Sequence, residues 1–222
     1  MKIQAIIPTA GLGKRLKSKT LKPFIPLKGK AILAYTLRPF QRSSLIDSVI
    51  VVAHAGSIKR VQDLIKKYKL TKVVKVVPGG KTRTESVSHG LRASDADTDL
   101  LVIHDGARPF LTKALLEKAV KEAQAFSAAV VAVPVKQTIK VIAPRKREVK
   151  KTLNRDSLWE IQTPQIFKRE ILVKAYQRSN NHATDDAALV ERLGVKVKIV
   201  MGDYRNIKIT TREDLEIAKA FL

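Results

Sequence analysis

Cysteine is absent from the 222 residues, which excludes disulfides and thiolate metal sites and is compatible with a reducing compartment. Long hydrophobic runs are absent too. The longest, near Ala128 to Val135, is far shorter than a bilayer requires. The apolar stretch after Lys2 is broken by Gln4 and Pro8, so nothing there reads as a signal peptide. A soluble cytoplasmic protein, with no membrane partner, is the expectation. Aromatic residues are only 5% of the chain and do not interleave with basic ones, which argues against a stacking surface for single-stranded nucleic acid. His54, His89, His104 and His182 are the only histidines and show neither metal-ligand spacing nor a triad, so a hydrolase would lack its base. Acidic residues number 20 against 43 basic ones, for a formal charge of +23. That excess steers anionic ligands inward. The lysines are scattered at helical spacing rather than blocked together, as on a solvated surface.

What is present is a phosphate-holding turn. The apolar run Ile3 to Pro8 breaks into Thr9-Ala10-Gly11-Leu12-Gly13-Lys14-Arg15 and then reaches Lys22-Pro23-Phe24. Glycines let backbone N–H groups approach phosphates, and the cations behind them neutralise the charge. Two common phosphate loops are excluded. A dinucleotide fingerprint needs a third glycine where Leu16 stands, and a Walker loop needs Gly-Lys-Ser/Thr, which Gly13-Lys14-Arg15 does not supply. What remains is Gly-x-Gly-x-Arg with a lysine seven residues on, a pattern that resembles the nucleotidyltransferases of sugar and polyol phosphates.

Strands and helices alternate along the chain. Strands are predicted at Ile3–Pro8, Ser48–His54, Lys72–Val77, Asp99–Ile103 and Ala128–Val135, and helices at Ala31–Gln41, Ile58–Lys69, Thr84–Ala93 and Lys113–Phe126. Continuous β-branched runs between helices imply a Rossmann-like α/β fold, a mainly parallel sheet with helices on both faces. Ligands then sit at the carboxyl ends of the strands. The turns after the first, third and fourth strands carry the glycine motif, Gly79-Gly80-Lys81-Thr82-Arg83 and His104-Asp105-Gly106-Ala107-Arg108-Pro109, so three polar loops fall on one sheet edge. Between Lys136 and Pro164 the pattern changes: Gln137–Ile142 and Glu148–Leu153 alternate around Pro144-Arg145-Lys146-Arg147 and read as a projecting β-hairpin with a basic tip. A lone hairpin is marginal, so a second copy of the chain is its simplest support. Helices are predicted from about Phe167 and over Thr184–Leu193, where Thr184-Asp185-Asp186 caps the start. A strand over Val195–Val200, a short strand over Asn206–Thr210 and a helix over Thr211–Leu222 close a single domain, 1–222, with the arm inserted at about 137–155.

The order of motifs resembles the 2-C-methyl-D-erythritol 4-phosphate cytidylyltransferases over essentially the whole chain. They are PTAGLGKRL with Lys22, GGKTRTESV at 79–87, HDGARP at 104–109, VKQTIK at 135–140, TLNR at 152–155, TPQIF at 163–167, TDDAALVE at 184–191 and NIKIT at 206–210. The resemblance implies CTP and a polyol phosphate as substrates, Mg²⁺ as cofactor and a homodimer joined through the arm. It implies that Arg15 and Lys22 stabilise charge on the α-phosphoryl group, and that Arg155 and Lys208 orient the polyol phosphate. Ala10, Gly11 and Gly13 would hold phosphates, Gly80 and Ser86 would lie beside the base, and Asp105, with Gly106, would stand beside the nucleotide and its Mg²⁺. Arg83, Thr138 and Thr163 complete the implied binding set, and His104 reads as a buttress for Asp105. The chain departs from the family pattern at Thr9, Pro23, Lys81, Gly106, Gln137 and Asn154. Two other readings stay open: a cytidylyltransferase for another acceptor such as ribitol 5-phosphate, and a basic nucleic-acid-binding module, for which no specific recognition pattern is found.

Overall fold

Apolar runs separated by helical stretches assemble into a seven-stranded sheet in a computed structural model of the chain, which describes residues 1–11, 13, 16, 20–143, 147–179 and 183–222. In order, the elements are β1 (Ile3–Pro8), β2 (Pro26–Leu27), β3 (Lys30–Ala31), α1 (Ile32–Arg42), β4 (Ser48–Ala53), α2 (Ile58–Lys67), β5 (Val73–Pro78), α3 (Arg83–Ala93), β6 (Leu100–Ile103) and α4 (Lys113–Phe126). They continue with β7 (Ala128–Pro134), β8 (Lys140–Ala143), β9 (Glu148–Thr152), β10 (Trp159–Lys168), α5 (Arg169–Gln177), α6 (Asp186–Glu191), β11 (Lys198–Met201) and α7 (Arg212–Ala220). The sheet order is β11–β7–β10–β6–β1–β4–β5. Every pairing is parallel except those of β10, which runs antiparallel to both β6 and β7.

The pleat of the central strands explains why their sequences are apolar throughout. On β1, Ile3, Ala5 and Ile7 join a core with Leu37 and Phe40 of α1, Val61 of α2 and Leu116 and Val120 of α4. Ile6 points to the other face, where Val87 of α3, Leu172 of α5 and Val190 of α6 pack. Both faces are covered, as a parallel sheet requires. A third, smaller cluster joins Leu16, Ile25, Leu27 and Ile32 to Ile209 and to Ala218 of α7.

Three expectations change. Trp159–Lys168 is a long strand inserted into the sheet, so Phe167 lies within a strand rather than starting a helix, and α5 begins at Arg169. Its ladder to β7 shifts register between Ile161 and Gln165, and the Thr163–Pro164 peptide bond is cis. The strand expected over Val195–Val200 runs instead over Lys198–Met201, while Val195 and Val197 pack against the second core. Asn206–Thr210 forms no strand. One backbone bond, from Ile209 N–H to the Ala107 carbonyl at 2.9 Å, ties it to the turn after β6. In the arm, β8 and β9 pair antiparallel, from Lys140 with Thr152 to Ala143 with Glu148, as a two-stranded sheet of their own. The hairpin tip at 144–146 lies outside the described residues.

Candidate active site

The turns at the carboxyl ends of β1, β5 and β6 are tied to the ends of their neighbouring strands, β4 for the first two and β1 for the third. Thr9 N–H donates to the Val52 carbonyl at 2.8 Å, Gly79 N–H to Ala53 at 2.8 Å and Gly106 N–H to Pro8 at 3.1 Å. Two glycines make this approach possible. A Cβ on Gly79 would lie 2.4 Å from the Ala10 Cβ, and one on Gly106 would lie 2.8 Å from the Thr9 Cβ. Between the turns opens a cleft of about 910 Å³, lined by residues of the turns after β1, β4, β5 and β6, by Lys22 and by Lys208 and Thr210. It sits at the carboxyl edge of the strands, where open α/β sheets hold ligands.

One wall is the amino end of α3. Thr82 caps that helix by accepting the Glu85 N–H at 3.1 Å, and the Glu85 carboxylate reaches back to the Lys81 N–H at 2.7 Å. Ser86 is buried; its hydroxyl donates to the Thr82 carbonyl at 2.9 Å and accepts the Gly80 N–H at 3.2 Å, fixing the glycine turn. The opposite wall carries Lys22, on a single 3-10 turn with Pro23 and Phe24. Gly13 has a left-handed φ of 65°, and a Cβ there would meet the Lys22 Cβ at 3.3 Å, so the lysine stem packs on the glycine turn.

The floor is an ionic cluster around Asp105. One carboxylate oxygen accepts from Arg83 Nε at 3.1 Å, the other pairs with Lys208 Nζ at 2.8 Å, and Arg108 Nε lies 3.7 Å away. Burial alone would push this carboxyl up, but Arg83, Lys208 and Arg108 hold it far below the ordinary carboxylate range. Arg83 in turn spans to Asp186 with both terminal nitrogens, at 3.1 and 2.7 Å. Burial opposes its charge, yet Asp186 and Asp105 outweigh burial and raise its pKa.

Beneath Asp105 runs a directional chain. The Asp105 N–H donates to the Thr163 hydroxyl at 3.0 Å, and that hydroxyl lies 2.9 Å from His104 Nδ1. His104 Nε2 faces the Arg108 carbonyl at 3.2 Å, which can only accept, so Nε2 carries the proton and Nδ1 accepts from Thr163. The chain needs a neutral imidazole, and burial lowers the His104 pKa to about 4. His104 therefore buttresses Asp105, as the sequence led one to expect.

Lys208 reaches the cluster from the irregular segment after β11. Its neighbour Asn206 is fully buried and donates to the Gln162 side chain at 3.1 Å and the Thr163 carbonyl at 2.9 Å, while the Asn206 carbonyl accepts from Arg108 at 2.6 Å. Side chains of β10 and the β6 turn thus hold this strap in place of a ladder. The Lys208 side chain stays 39% exposed, open to a ligand in the cleft.

A sequence model of the 2-C-methyl-D-erythritol 4-phosphate cytidylyltransferases matches residues 3–222. This chain belongs to that family. A 2-C-methyl-D-erythritol 4-phosphate cytidylyltransferase of Desulforamulus reducens is 44% identical over 99% of this chain and 95% of its own. One from Caldanaerobacter subterraneus subsp. tengcongensis is 42% identical over 100% and 99%. Among solved structures, a 4-diphosphocytidyl-2C-methyl-D-erythritol synthase from Anaerococcus prevotii superposes with a TM-score of 0.86 at 34% identity, over 99% of this chain and 97% of that one. Membership makes the protein a nucleotidyltransferase.

Of the residues implied by resemblance to the cytidylyltransferases, Ala10, Gly11, Gly13, Lys22, Gly80, Arg83, Ser86, Asp105, Gly106 and Lys208 all line the cleft. Arg15 lies outside the described residues. Thr163 does not line the cleft, and its hydroxyl is spent between Asp105 and His104. Thr138 and Arg155 belong to the arm region and are also absent from the lining; Arg155 is exposed and donates to the Lys136 carbonyl at 3.0 Å. Sequence reasoning missed four contributing residues. His54 and Ala55, after β4, line the cleft; Arg108 anchors the strap; and Asp186 grips Arg83. The HDGARP motif signalled Arg108, whereas Asp186 looked like a helix cap, a role that belongs to Asp185, which accepts the Ala188 N–H at 3.1 Å.

Proposed function

We propose that this cleft transfers a cytidylyl group from CTP to 2-C-methyl-D-erythritol 4-phosphate, releasing pyrophosphate, in a cytoplasmic branch of non-mevalonate isoprenoid precursor biosynthesis. The observation that carries the reading is the joint placement of a glycine turn, Lys22, Asp105 and Lys208 in one cleft. The acceptor phosphate has a second pKa near 6 and is largely dianionic at neutral pH, so its oxygen attacks the α-phosphorus without a general base. A new P–O bond forms, the bond to pyrophosphate breaks, and no proton need move.

The difficulty is charge: a triphosphate and a phosphate must approach one another. Gly11 and Gly13 offer backbone donors, while Lys22 and Arg15 neutralise the phosphoryl oxygens as the pentacoordinate state forms. Lys208, held by Asp105 yet exposed, takes the acceptor phosphate, and Arg155 adds a second cation to it. Gly80 and Ser86 flank the base, Thr138 contacts the acceptor, and Thr163 acts from below through Asp105. Because Arg155 and Thr138 lie outside the cleft lining of their own chain, the arm at about 137–155 serves the site of a second copy in a homodimer. The rest of 1–222 acts as one nucleotidyltransferase domain.

No group of three His, Asp or Glu suited to a metal occurs among the described residues. Asp105 offers one carboxylate, already shared among three cations. Such a set fits Mg²⁺ arriving with the triphosphate and water, an ion that keeps most of its ligands from substrate and solvent. Bound there beside Asp105, it would withdraw charge from the triphosphate.

Pyrophosphate release tests the reading, with CTP, ATP, GTP or UTP offered against methylerythritol 4-phosphate or ribitol 5-phosphate. Release that requires CTP and the methylerythritol acceptor is expected. A ribitol preference would overturn the acceptor, and silence with every pair would overturn the reaction.

A further inference from the structure

The cluster below the cleft contains a carboxylate that touches no cleft-facing group except Arg83. Asp186 opens α6 and is 1% exposed. One of its oxygens accepts both Arg83 Nη1 at 3.1 Å and the Tyr176 hydroxyl at 2.5 Å; the other accepts Arg83 Nη2 at 2.7 Å. Its backbone N–H and that of Ala187 both donate to the Gln165 side chain at 3.1 Å, so β10 fixes the carboxylate from below. Asp186 does not line the cleft.

A guanidinium satisfies a carboxylate best by gripping both oxygens. Arg83 spends that two-pronged grip on Asp186 and offers Asp105 only Nε, on a single oxygen. The second Asp105 oxygen is thereby left for Lys208. We infer that Asp186 is a positioning residue: by occupying both terminal nitrogens of Arg83, it keeps Arg83 from taking both oxygens of Asp105 and so holds Lys208 in the cleft. Without the Asp186 charge, Arg83 turns its fork onto Asp105 and displaces the lysine. Tyr176 supports the arrangement by donating to the oxygen that also serves Nη1, and its pKa is driven upward by burial and by Asp186, so it remains a donor at every working pH.

This inference rests on the reading of Lys208 as the acceptor-phosphate cation, and the experiment separates the two. Steady-state kinetics with CTP and methylerythritol 4-phosphate are measured for Asp186→Asn, Tyr176→Phe, Lys208→Ala and the double variant Asp186→Asn with Lys208→Ala. Asp186→Asn should raise KM for the acceptor about tenfold while the CTP KM stays within about twofold, and Tyr176→Phe should shift the same constant in the same direction by less. In the Lys208→Ala background, Asp186→Asn should add less than about twofold, because the residue it positions is gone. Equal loss for both substrates, or full additivity in the double variant, would overturn the inference, since a merely structural carboxylate behaves so. An unchanged acceptor KM in Lys208→Ala alone would instead overturn the reading of Lys208, and the inference with it. Should Asp186→Asn fold poorly, Tyr176→Phe and its own double variant with Lys208→Ala decide the matter on the same criteria.

Discussion

The cleft floor and the arm are built on opposite principles. Around Asp105 the side chains are bonded to one another and, apart from Lys208 and part of Arg83, buried, and His104, Thr163 and Asn206 leave almost no surface to water. In the arm, all of β9 is exposed, and Ile142 and Val149 present 48% and 59% of their surface. The first region is finished by its own core. The second folds as two strands with apolar side chains uncovered, a condition that isolated hairpins rarely sustain. A site assembled from both would have its nucleotide half preorganised within each chain and its acceptor half completed by assembly.

The sharpest way to break that contrast is at the cations. Lys22→Ala should lower kcat by about 10²–10³-fold, the scale of losing one preorganised charge at a phosphoryl transition state, without shifting the unfolding midpoint. An intact rate would remove Lys22 from the chemistry. His104 gives the next largest effect, on stability. Its folded pKa of about 4 lies below the ordinary 6.5, so the unfolded chain takes up the proton first. The stabilisation is whole above pH 6.5 and is lost as the pH falls toward 4, by about 3 kcal/mol in all. Urea unfolding at pH 7 and 4.5 should show most of that loss, and a His104→Asn variant, already weaker at pH 7, should show a flatter profile.

Smaller effects follow. Gly106→Ala places a methyl 2.8 Å from the Thr9 Cβ and 3.2 Å from the Pro8 carbonyl. A cost of about 1–2 kcal/mol is expected by chemical unfolding, and Thr9→Ala, which removes an oxygen 2.9 Å from the same spot, should recover part of it. The smallest change in folding energy should come from Val149→Asp, within about 0.5 kcal/mol, as for an exposed position. If the proposed homodimer forms through the arm, sedimentation should show it for the parent chain and not for that variant, and a dimer that survives the substitution would detach the arm from assembly.

Most strands were legible because burial on both faces leaves nearly unbroken apolar runs, as in Ser48–Ala53 and Ala128–Pro134. β10 was not, for a physical reason. Gln162, Thr163 and Gln165 are polar and Pro164 lies among them, so this stretch lacks both alternation and an apolar run. Its polar residues are buried because they hold groups far away in sequence: Asn206, Asp105 and Asp186. The error over Asn206–Thr210 has the same root. Ile207 and Ile209 alternate as a strand does, but Asn206 is committed to β10, and the segment follows its side-chain anchor instead of a ladder. The glycine turns and cations were readable as local motifs, whereas the tie from Asp186 to Arg83, 103 residues apart, was not.

The strap that carries Lys208 also sets how the gene can vary in length. Paired strands can slip by two residues and keep their inward and outward faces. A segment pinned at Asn206 by three side-chain and carbonyl bonds, and at Ile209 by one amide, has no such freedom. One residue gained or lost between those pins would carry the ammonium of Lys208 away from Asp105, so the spacing 206 to 209 is a ruler that insertions and deletions cannot cross.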